Sequence, residues 1–374
     1  MVRKRTGERQ HAFDAVFLWM TAGFVLFGLL MLASASGPSA YAKFNDSLWF
    51  VKHQILFGVL PGSIALILFA RMDYHRLRFI ATPMLIASFL LLLLVFLPGI
   101  GAPWGTSRSW LYFFGFSLQP AEIVKLFFCI FLAVWLDRVG EDGVRDVHRG
   151  LLPLLFFTGM IAFLLVLQPD IGGMSIVVGM ALLLYFLSGA RISHLLAIAS
   201  VALGAFAFLI YAAPYRAARF MTFLHPETDP RGVGYHINQA LLAIGSGGMF
   251  GLGYGHSRQK FLYLPEVEGD SIFAILGEEL GFLLTVSFLG AILFFLFRGF
   301  RIARQAPDRL GRLLASGVMC WLGLQMFVNI AGMLSLMPLT GLTLPFVSYG
   351  GTSLFMTLGA AGVVCSVSRA RLIR

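Results

Sequence analysis

Long apolar segments separated by short polar ones make up almost the whole chain. A helix that crosses a bilayer needs about 20 mostly apolar residues, and about ten runs here are near that length. We therefore predict an all-α, polytopic membrane protein in which residues 1–374 form one domain. The predicted spans lie near residues 13–35, 49–70, 79–98, 119–137, 151–167, 173–190, 194–213, 271–297, 313–336 and 352–368.

The composition fits this class and leaves no room for a sizeable soluble domain. Hydrophobic residues make up 58% of the chain and charged residues 12%, whereas a soluble domain carries about 25% charged residues. The first apolar run is too long for a signal-peptide core, so we expect it to remain as a span. The 3 cysteines all fall inside predicted spans, which argues against a disulfide framework or a metal site.

The positive charge marks one side of the membrane. The formal net charge is +10, and the arginines cluster after alternate spans and at both ends of the chain. Because basic loops stay in the cytoplasm, both termini are predicted to be cytoplasmic. This placement explains the charge, and we expect no nucleic-acid partner. The clusters lie at residues 3–9, 71–78, 138–149, 191, 298–312 and 369–374.

Two irregular stretches predict a cavity that faces outward. The loop over 214–270 is long, and long loops are usually functional or disordered, but it carries too many aromatic and aliphatic residues for disorder. The stretch 337–353 is irregular in the same way. Non-helical backbone near membrane depth must be buried in protein or line a cavity. The loops that this topology places outside are 36–48, 99–118, 168–172, 214–270 and 337–351.

Basic residues on the outer side are candidates for function, because positive charge there does not help to orient the protein. The alternative for each is a solvated side chain, or one that extends to the lipid headgroups. These residues are Arg108, Arg216, Arg219, Arg258 and Lys260.

The fourth span begins with a charged pair. Glu122 and Lys125 are three residues apart and so share one helix face. Ionisable residues inside spans are rare and often mark function. We keep two interpretations: the pair forms a charged wall for an anionic headgroup, or it is an ion pair that locks helix packing.

Carboxylates gather where the eighth span begins. Glu266, Glu268 and Asp270 follow shortly after Lys260, and we expect them to cluster beside it. Like charges held together raise a carboxyl pKa, which suits a general base that works near neutral pH. Asp270 could instead serve only as a helix N-cap.

Further polar residues lie inside the spans. Glu278 and Glu279 are deep enough in the eighth span to need partners, and they could be protonated or hydrogen-bonded core residues. Gln325 and Asn329, four residues apart in the ninth span, are expected to form interhelical hydrogen bonds.

Several segments resemble one known family. The runs RGVGYHINQALLAIGSGG, GLGYGHSRQKFLYLPEVEGDSIFAILGEELG and LPFVSYGGTS are similar to the SEDS family of bacterial cell-wall polymerases, which includes FtsW, RodA and SpoVE. WGTSRSWLYFFGFSLQPAEIVKL and LQPDIGG also match, so the resemblance covers nearly the whole chain. SRQKFLYLPE, ASASGPSAYAKFNDSLWFVKHQ and MPLTGLTLPFVSYGG look more like the division member than the elongation member.

The resemblance implies a ten-span SEDS fold and a peptidoglycan glycosyltransferase that polymerises lipid II into glycan strands. The implied partners are lipid II, the growing strand, a class B penicillin-binding protein, other divisome membrane proteins and membrane lipids. The implied location is the bacterial inner membrane at the division septum, with the active site facing outward. The sequence requires no cofactor, although a divalent cation, Mg²⁺ or Mn²⁺, could assist phosphate departure.

The family's site elements fall on residues of this chain. Its essential Asp falls on Asp270, which the resemblance implies is the general base. Basic side chains would offset the pyrophosphate charge as the glycosyl–phosphate bond breaks, and the candidates are Arg108, Lys125 and Lys260. The implied site also includes Trp110 (of R-x-W), Glu122 (of E-x-x-K) and, as further substrate contacts, Glu266, Arg216, Arg219 and Ser348.

A few positions depart from the family pattern. Glu268 and Gly269 replace the usual His and Thr before the Asp, Ala121 replaces the Ser of Q-P-S-E, and Thr352 replaces a Ser of SYGGSS. None of these positions is the Asp itself, so we expect activity to remain.

Other functions fit parts of the same pattern. A RodA-type elongation polymerase would share the family motifs. A flippase for the lipid-linked precursor would also use intramembrane charges and broken helices, but no inverted repeat is apparent and the candidate groups lie on the outer face. A scaffold that only recruits a division synthase is the third alternative.

Overall fold

The computed structural model describes residues 13–97, 101–104, 107–113, 116–211 and 232–370. Each of the ten predicted spans coincides with a helix, and a further helix, α8, lies between the seventh and eighth spans. The helices are α1 (Ala15–Phe44), α2 (Trp49–Arg71, with a π-helical turn at Ile55–Val59), α3 (Leu77–Leu94), α4 (Pro120–Val144), α5 (Leu152–Leu167), α6 (Ile171–Leu187), α7 (Ile192–Tyr211), α8 (Val233–Ser246), α9 (Ile272–Arg304), α10 (Arg309–Met333) and α11 (Gly351–Arg369).

Helix length and composition agree with a multi-pass membrane protein. Within the described ranges, 7 helices are long and apolar enough to cross a bilayer: α1, α2, α3, α5, α9, α10 and α11, with α3 and α5 each extended by a turn. α6 and the part of α7 up to Gly204 are apolar but shorter. α4 carries Glu122 and Lys125 in its first two turns. The predicted all-helical membrane fold is confirmed.

The centre of the bundle is formed by α4, α10 and α11. The most apolar windows of α10 and α11 are 78% and 83% buried, against 28% to 33% for the other candidate spans. α4 is also buried along most of its length from Pro120 to Leu136. Helices surrounded by protein can carry polar side chains at membrane depth, because those side chains find partners on neighbouring helices instead of lipid.

The loop between α3 and α4, which was predicted to face outward, contains a small sheet that was not predicted from the sequence. β1 (Gly101–Trp104), β2 (Ser107–Phe113) and β3 (Phe116–Leu118) pair in an antiparallel meander. Strands this short give only a weak alternation of polar and apolar residues, and the loop reads as irregular in a hydropathy pattern.

An ion pair joins the start of α1 to the last turns of α9. Asp14 caps α1 by accepting a hydrogen bond from Phe17 N. Its two carboxylate oxygens also accept from the guanidinium of Arg298, at 3.0 and 2.8 Å. Arg298 belongs to the basic segment 298–312, so a residue that signals topology also joins two helices through a two-pronged ion pair.

Part of the predicted outer loop over 214–270 folds back along α9. His236 of α8 lies beside Ser271 at the start of α9, with 2.6 Å between Nε2 and Oγ. The segment that follows α8 packs deeper, where Gly251 meets the backbone around Gly281. The chain then returns towards Pro265. We call residues 233–264 the outer hairpin.

The outer hairpin replaces two hydrogen bonds of α9 itself. Gly281 has φ 71° and ψ −177°, so α9 is interrupted there. In an unbroken helix, the amides of residues 282 and 283 would bond to the carbonyls of residues 278 and 279. All four groups bond to the hairpin instead, which satisfies them in a region where an unpaired backbone group is costly. The bonds are Leu252 N to Glu278 O (3.0 Å), Gly253 N to Glu279 O (3.0 Å), Phe282 N to Gly248 O (2.8 Å) and Leu283 N to Met249 O (3.2 Å).

Candidate functional site

Asp270 lies at the outer mouth of α9, next to a crevice. The N-cap position of α9 is Ser271, not Asp270. The side-chain amide of Asn329 on α10 donates to Asp270 O at 2.9 Å and to Leu342 O at 2.7 Å. One side chain therefore holds the two irregular outer stretches together. The crevice is a narrow gap with no room for a water molecule, and it is lined by Asp270, Val328, Asn329, Gly332, Met333, Leu339, Thr340, Gly341 and Leu342.

The surroundings of Asp270 suit a proton acceptor. Burial raises the pKa of Asp270 to about 6, while a hydrogen bond from Ser271 opposes the rise and the charge of Glu268 adds to it. The pKa of Glu266 is also raised, first by burial and then by the charges of Glu268 and Asp270. A carboxyl group with a pKa slightly below the working pH is ionised and can still accept a proton in the transition state.

A cation beside these carboxylates, within the described part of the chain, is Lys43 near the C-terminal end of α1. Its ammonium lies 3.1 Å from Glu268 Oε1, and its side chain is 54% exposed, while that of Glu268 is 7% exposed. Ser39 Oγ donates to the other carboxylate oxygen of Glu268 at 3.2 Å. Lys43 was not singled out from the sequence, although its position in the outward loop 36–48 was an available signal.

Lys260 was expected from the sequence to lie beside the Asp270 cluster, but the structure places it elsewhere. Its ammonium is 2.9 Å from Glu279 Oε1, and both side chains are almost fully buried. It also donates to Ser34 Oγ of α1 at 3.1 Å and to Gly255 O at 2.7 Å. The physical reason is depth: the outer hairpin carries Lys260 down along α9, where a buried ammonium needs a carboxylate at the same level.

Glu278 joins the outer hairpin to α9. Its carboxylate accepts hydrogen bonds from Ser257 Oγ and from Arg258 N, the latter at 2.9 Å. Glu279 is paired with Lys260. The prediction that both intramembrane glutamates are hydrogen-bonded core residues is therefore confirmed. They hold the hairpin that supports the mouth of α9.

Glu122 and Lys125 form a buried pair at the centre of the bundle. The ammonium of Lys125 lies 2.6 Å from Glu122 Oε1 and 2.8 Å from Gln325 Oε1 on α10. The side chains of Lys125 and Glu122 are 0% and 4% exposed. This geometry corresponds to the packing interpretation, because a fully buried ammonium does not face a headgroup. Gln325 makes the interhelical hydrogen bond that was expected of it.

Ser348 supports its own loop. Its hydroxyl oxygen accepts from Leu344 N at 2.8 Å, and its carbonyl accepts from Gln54 Nε2 at 3.1 Å. The residue is buried. The next residue, Tyr349, donates its backbone N–H to Glu268 O at 2.8 Å. The segment before α11 therefore braces the carboxylate cluster, and the Ser348 hydroxyl bonds within its own loop.

Three predicted site residues have no described side chain. Arg108 lies in β2, where only its backbone is described, and Arg216 and Arg219 lie outside the described residues. Among the residues that are described, no group of three or more His, Cys, Asp or Glu side chains is arranged to hold a metal ion. The use of Mg²⁺ or Mn²⁺ stays a prediction.

Similarity to known proteins extends over almost the whole chain. The FtsW/RodA/SpoVE family model, described as cell cycle protein, matches residues 14–372. Stage V sporulation protein E of Bacillus subtilis (strain 168) is 41% identical over 356 residues, which cover 95% of this chain and 97% of the relative. The probable peptidoglycan glycosyltransferase FtsW of Geobacter metallireducens is 39% identical over 356 residues, which cover 95% of this chain and 94% of that protein.

Solved structures share the fold. A chain from a peptidoglycan synthase complex, studied for its coordination of polymerization and crosslinking, has a TM-score of 0.77 at 29% identity, covering 96% of this chain and 98% of its own. The crystal structure of the rod shape determining protein RodA of Thermus thermophilus has a TM-score of 0.69 at 30% identity, covering 97% of this chain and 99% of its own. With a family match over residues 14–372, the chain belongs to the FtsW/RodA/SpoVE family, the SEDS proteins that its motifs resemble.

Proposed function

We propose that this protein is a peptidoglycan glycosyltransferase that polymerises lipid II into glycan strands. Relatives named as probable peptidoglycan glycosyltransferases support this activity, since they are 36% to 40% identical over at least 91% of the chain. Within the fold, the proposal depends on Asp270, a carboxyl group with a pKa of about 6 beside the outer crevice.

In the proposed reaction, Asp270 is the general base. It removes the proton from the 4-hydroxyl of the acceptor sugar as that oxygen attacks the anomeric carbon of the donor. The glycosidic C–O bond forms while the bond between the anomeric carbon and the phosphate oxygen breaks. The polyprenyl pyrophosphate leaves with the electron pair and needs little acid catalysis, so one carboxylate is sufficient.

The negative charge of the pyrophosphate calls for basic side chains on the outer face. We assign this role to Lys43, which is half-exposed beside Glu268, and keep Arg108 as a candidate because β2 lies in an outward loop. Lys125 and Lys260 are unsuited to the role, because each ammonium is buried in an ion pair with a glutamate. We propose that these two lysines stabilise the fold that carries the site.

The proposed setting is the bacterial inner membrane at the division septum, with a class B penicillin-binding protein and other divisome membrane proteins as partners. The similar chain from a peptidoglycan synthase complex supports a crosslinking partner. Relatives named FtsW, at 36% to 40% identity, support the division role. A fluorescent fusion is expected at the septum, and a signal confined to the side wall would contradict a division role.

Glycan synthesis from purified lipid II separates this function from its alternatives. The purified protein with its penicillin-binding partner is expected to convert labelled lipid II into long glycan strands. A flippase would move the labelled lipid across a vesicle bilayer without joining sugars. A scaffold would do neither.

A further inference from the structure

His236 and Ser271 form a hydrogen-bonded link to the proposed base. Nε2 of His236 lies 2.6 Å from Ser271 Oγ, and the same oxygen lies 3.2 Å from Asp270 Oδ1 and 2.8 Å from Pro265 O. We propose that His236 is a positioning residue, which acts through the Ser271 hydroxyl to orient the Asp270 carboxylate for proton transfer. This inference rests on the proposed role of Asp270 as the general base.

The hydrogens around Ser271 Oγ follow from a count of donors and acceptors. Pro265 O only accepts, and an ionised Asp270 only accepts, so the single hydroxyl hydrogen already has two acceptors. If Nε2 of His236 were also an acceptor, three acceptors would compete for that hydrogen. We therefore assign the hydrogen of the neutral imidazole to Nε2, from which it donates to Ser271 Oγ. The hydroxyl hydrogen is then shared between Pro265 O and Asp270 Oδ1, and the charge of an ionised Asp270 favours the carboxylate.

The Ser271 hydroxyl can bond to both protonation states of Asp270. When Asp270 is ionised, the hydroxyl donates to Oδ1 and stabilises the charged form. When Asp270 has taken a proton, the hydroxyl rotates to donate to Pro265 O, and its oxygen can accept from the new Oδ1–H. His236 donates to Ser271 in both states. Asp270 can therefore gain or lose its proton with only one change in this link, a rotation of the Ser271 hydroxyl.

His236 enters this link as a neutral donor. It lies on α8 of the outer hairpin, where burial lowers its pKa and the charge of Glu266 opposes that change. It is uncharged at pH 7, since an unperturbed histidine has a pKa of about 6.5. Among the residues that the structure describes, the other ionisable groups near Asp270 include Glu266 and Glu268 on the same loop, Lys43 from α1 and Tyr349 from the segment before α11.

The test is the pH dependence of kcat/KM for lipid II polymerisation by the protein with its penicillin-binding partner. In the unsubstituted protein the rate rises with pH as Asp270 ionises. Ser271→Ala removes a hydrogen bond that lowers the pKa of Asp270. The acidic limb of the pH profile, where kcat/KM rises with pH, should therefore move to higher pH by about one unit. His236→Leu should move the limb in the same direction by less, because the hydroxyl remains but loses the donor that directs it.

Conservative variants distinguish this link from general damage to the fold. Ser271→Thr keeps the hydroxyl and His236→Gln keeps an N–H donor, so both should return the limb towards its original position. His256→Leu is a matched control, because His256 is an exposed histidine of the same hairpin whose Nδ1 lies 3.0 Å from Tyr254 O. Its limb should not move.

Three results would overturn the inference or the role of Asp270 beneath it. If neither Ser271→Ala nor His236→Leu moves the acidic limb while Asp270→Asn is inactive, the inference about His236 is overturned and the role of Asp270 as the base remains. A displaced limb in His236→Gln would show that the imidazole itself must titrate, which contradicts a neutral donor. Activity in Asp270→Asn would overturn the role of Asp270 as the base, on which the inference rests, and would leave the proposed polymerase activity in place. If Ser271→Ala fails to fold, the comparison of His236→Leu with His236→Gln decides.

Discussion

Gly251 and Gly281 pack backbone against backbone. A Cβ on Gly281 would lie 2.1 Å from Gly251 N, and a Cβ on Gly251 would lie 2.2 Å from Glu279 O. Both have positive φ, 82° and 71° respectively, which glycine adopts without strain. At about 1.5 Å per residue, Gly281 lies about 14 Å along α9 from Ile272, close to half of a bilayer core about 30 Å thick. This contact therefore fixes the outer hairpin deep along α9.

We expect Gly251→Ala to destabilise the protein strongly. The added Cβ would meet the backbone of α9, and a left-handed φ at a non-glycine residue by itself costs about 1–3 kcal/mol. Gly245→Ala is the matched control, since nothing lies within 4 Å of its Cβ position. Gly245 is in α8, where alanine should stabilise by roughly 0.5–1 kcal/mol. Thermal unfolding in detergent measures both, and equal Tm values would contradict the close contact.

The tip of the outer hairpin is expected to lie within the outer half of the bilayer. Phe250 is 81% exposed and Tyr41 is 62% exposed, but Phe250 adjoins Gly251, whereas Tyr41 is near the outer end of α1. A cysteine at position 250 should therefore resist a membrane-impermeant thiol reagent, and a cysteine at position 41 should react. The native cysteines are buried and should give little background. Equal labelling of the two would place the hairpin in water.

The pair of Glu122 and Lys125 is expected to contribute to stability and not to substrate binding. Lys125→Met leaves the buried Glu122 carboxylate unpaired, which should cost roughly 3–5 kcal/mol. The double variant Glu122→Gln/Lys125→Met removes both charges and should recover most of that loss. Polymerisation per folded molecule should recover with it. A double variant that is stable but does not use lipid II would show that Lys125 contacts substrate.

The raised pKa of Asp270 predicts a gain in stability when its charge is removed. Its pKa is about 6 in the folded protein and about 3.9 when unfolded, so the folded state binds the proton more tightly. The stability that this proton gives is complete below about pH 4 and is lost as pH rises through 6. Asp270→Asn should therefore raise the free energy of unfolding by up to about 3 kcal/mol at pH 7, with little effect at pH 4. A less stable variant at pH 7 would contradict the raised pKa.

Those parts of the fold that depend on one segment at a time were predictable from the sequence. Whether an apolar segment crosses a bilayer depends on its own composition, so each predicted span corresponds to a helix in the structure. The need of Glu278 and Glu279 for partners was predictable for the same reason, because a carboxylate at that depth is costly wherever its partner comes from.

The choice of partners was not predictable, because it depends on contacts between distant segments. Lys260 was expected beside the carboxylates nearest in sequence, but the outer hairpin carries it to Glu279 and Ser34. Lys43 came to Glu268 from the far end of α1. The spacing of apolar residues shows which face of a helix a residue occupies. The depth that the outer hairpin reaches depends instead on its packing against α9.

The role of Asp270 as the base is tested most directly by glycan synthesis from labelled lipid II. Purified Asp270→Asn protein, in complex with its penicillin-binding partner, is compared with the unsubstituted complex. Asparagine has nearly the same shape but cannot accept a proton at neutral pH, so we predict normal folding, normal partner binding and no glycan strands. Long glycan strands from the variant would contradict this role and would move the base to Glu266 or Glu268.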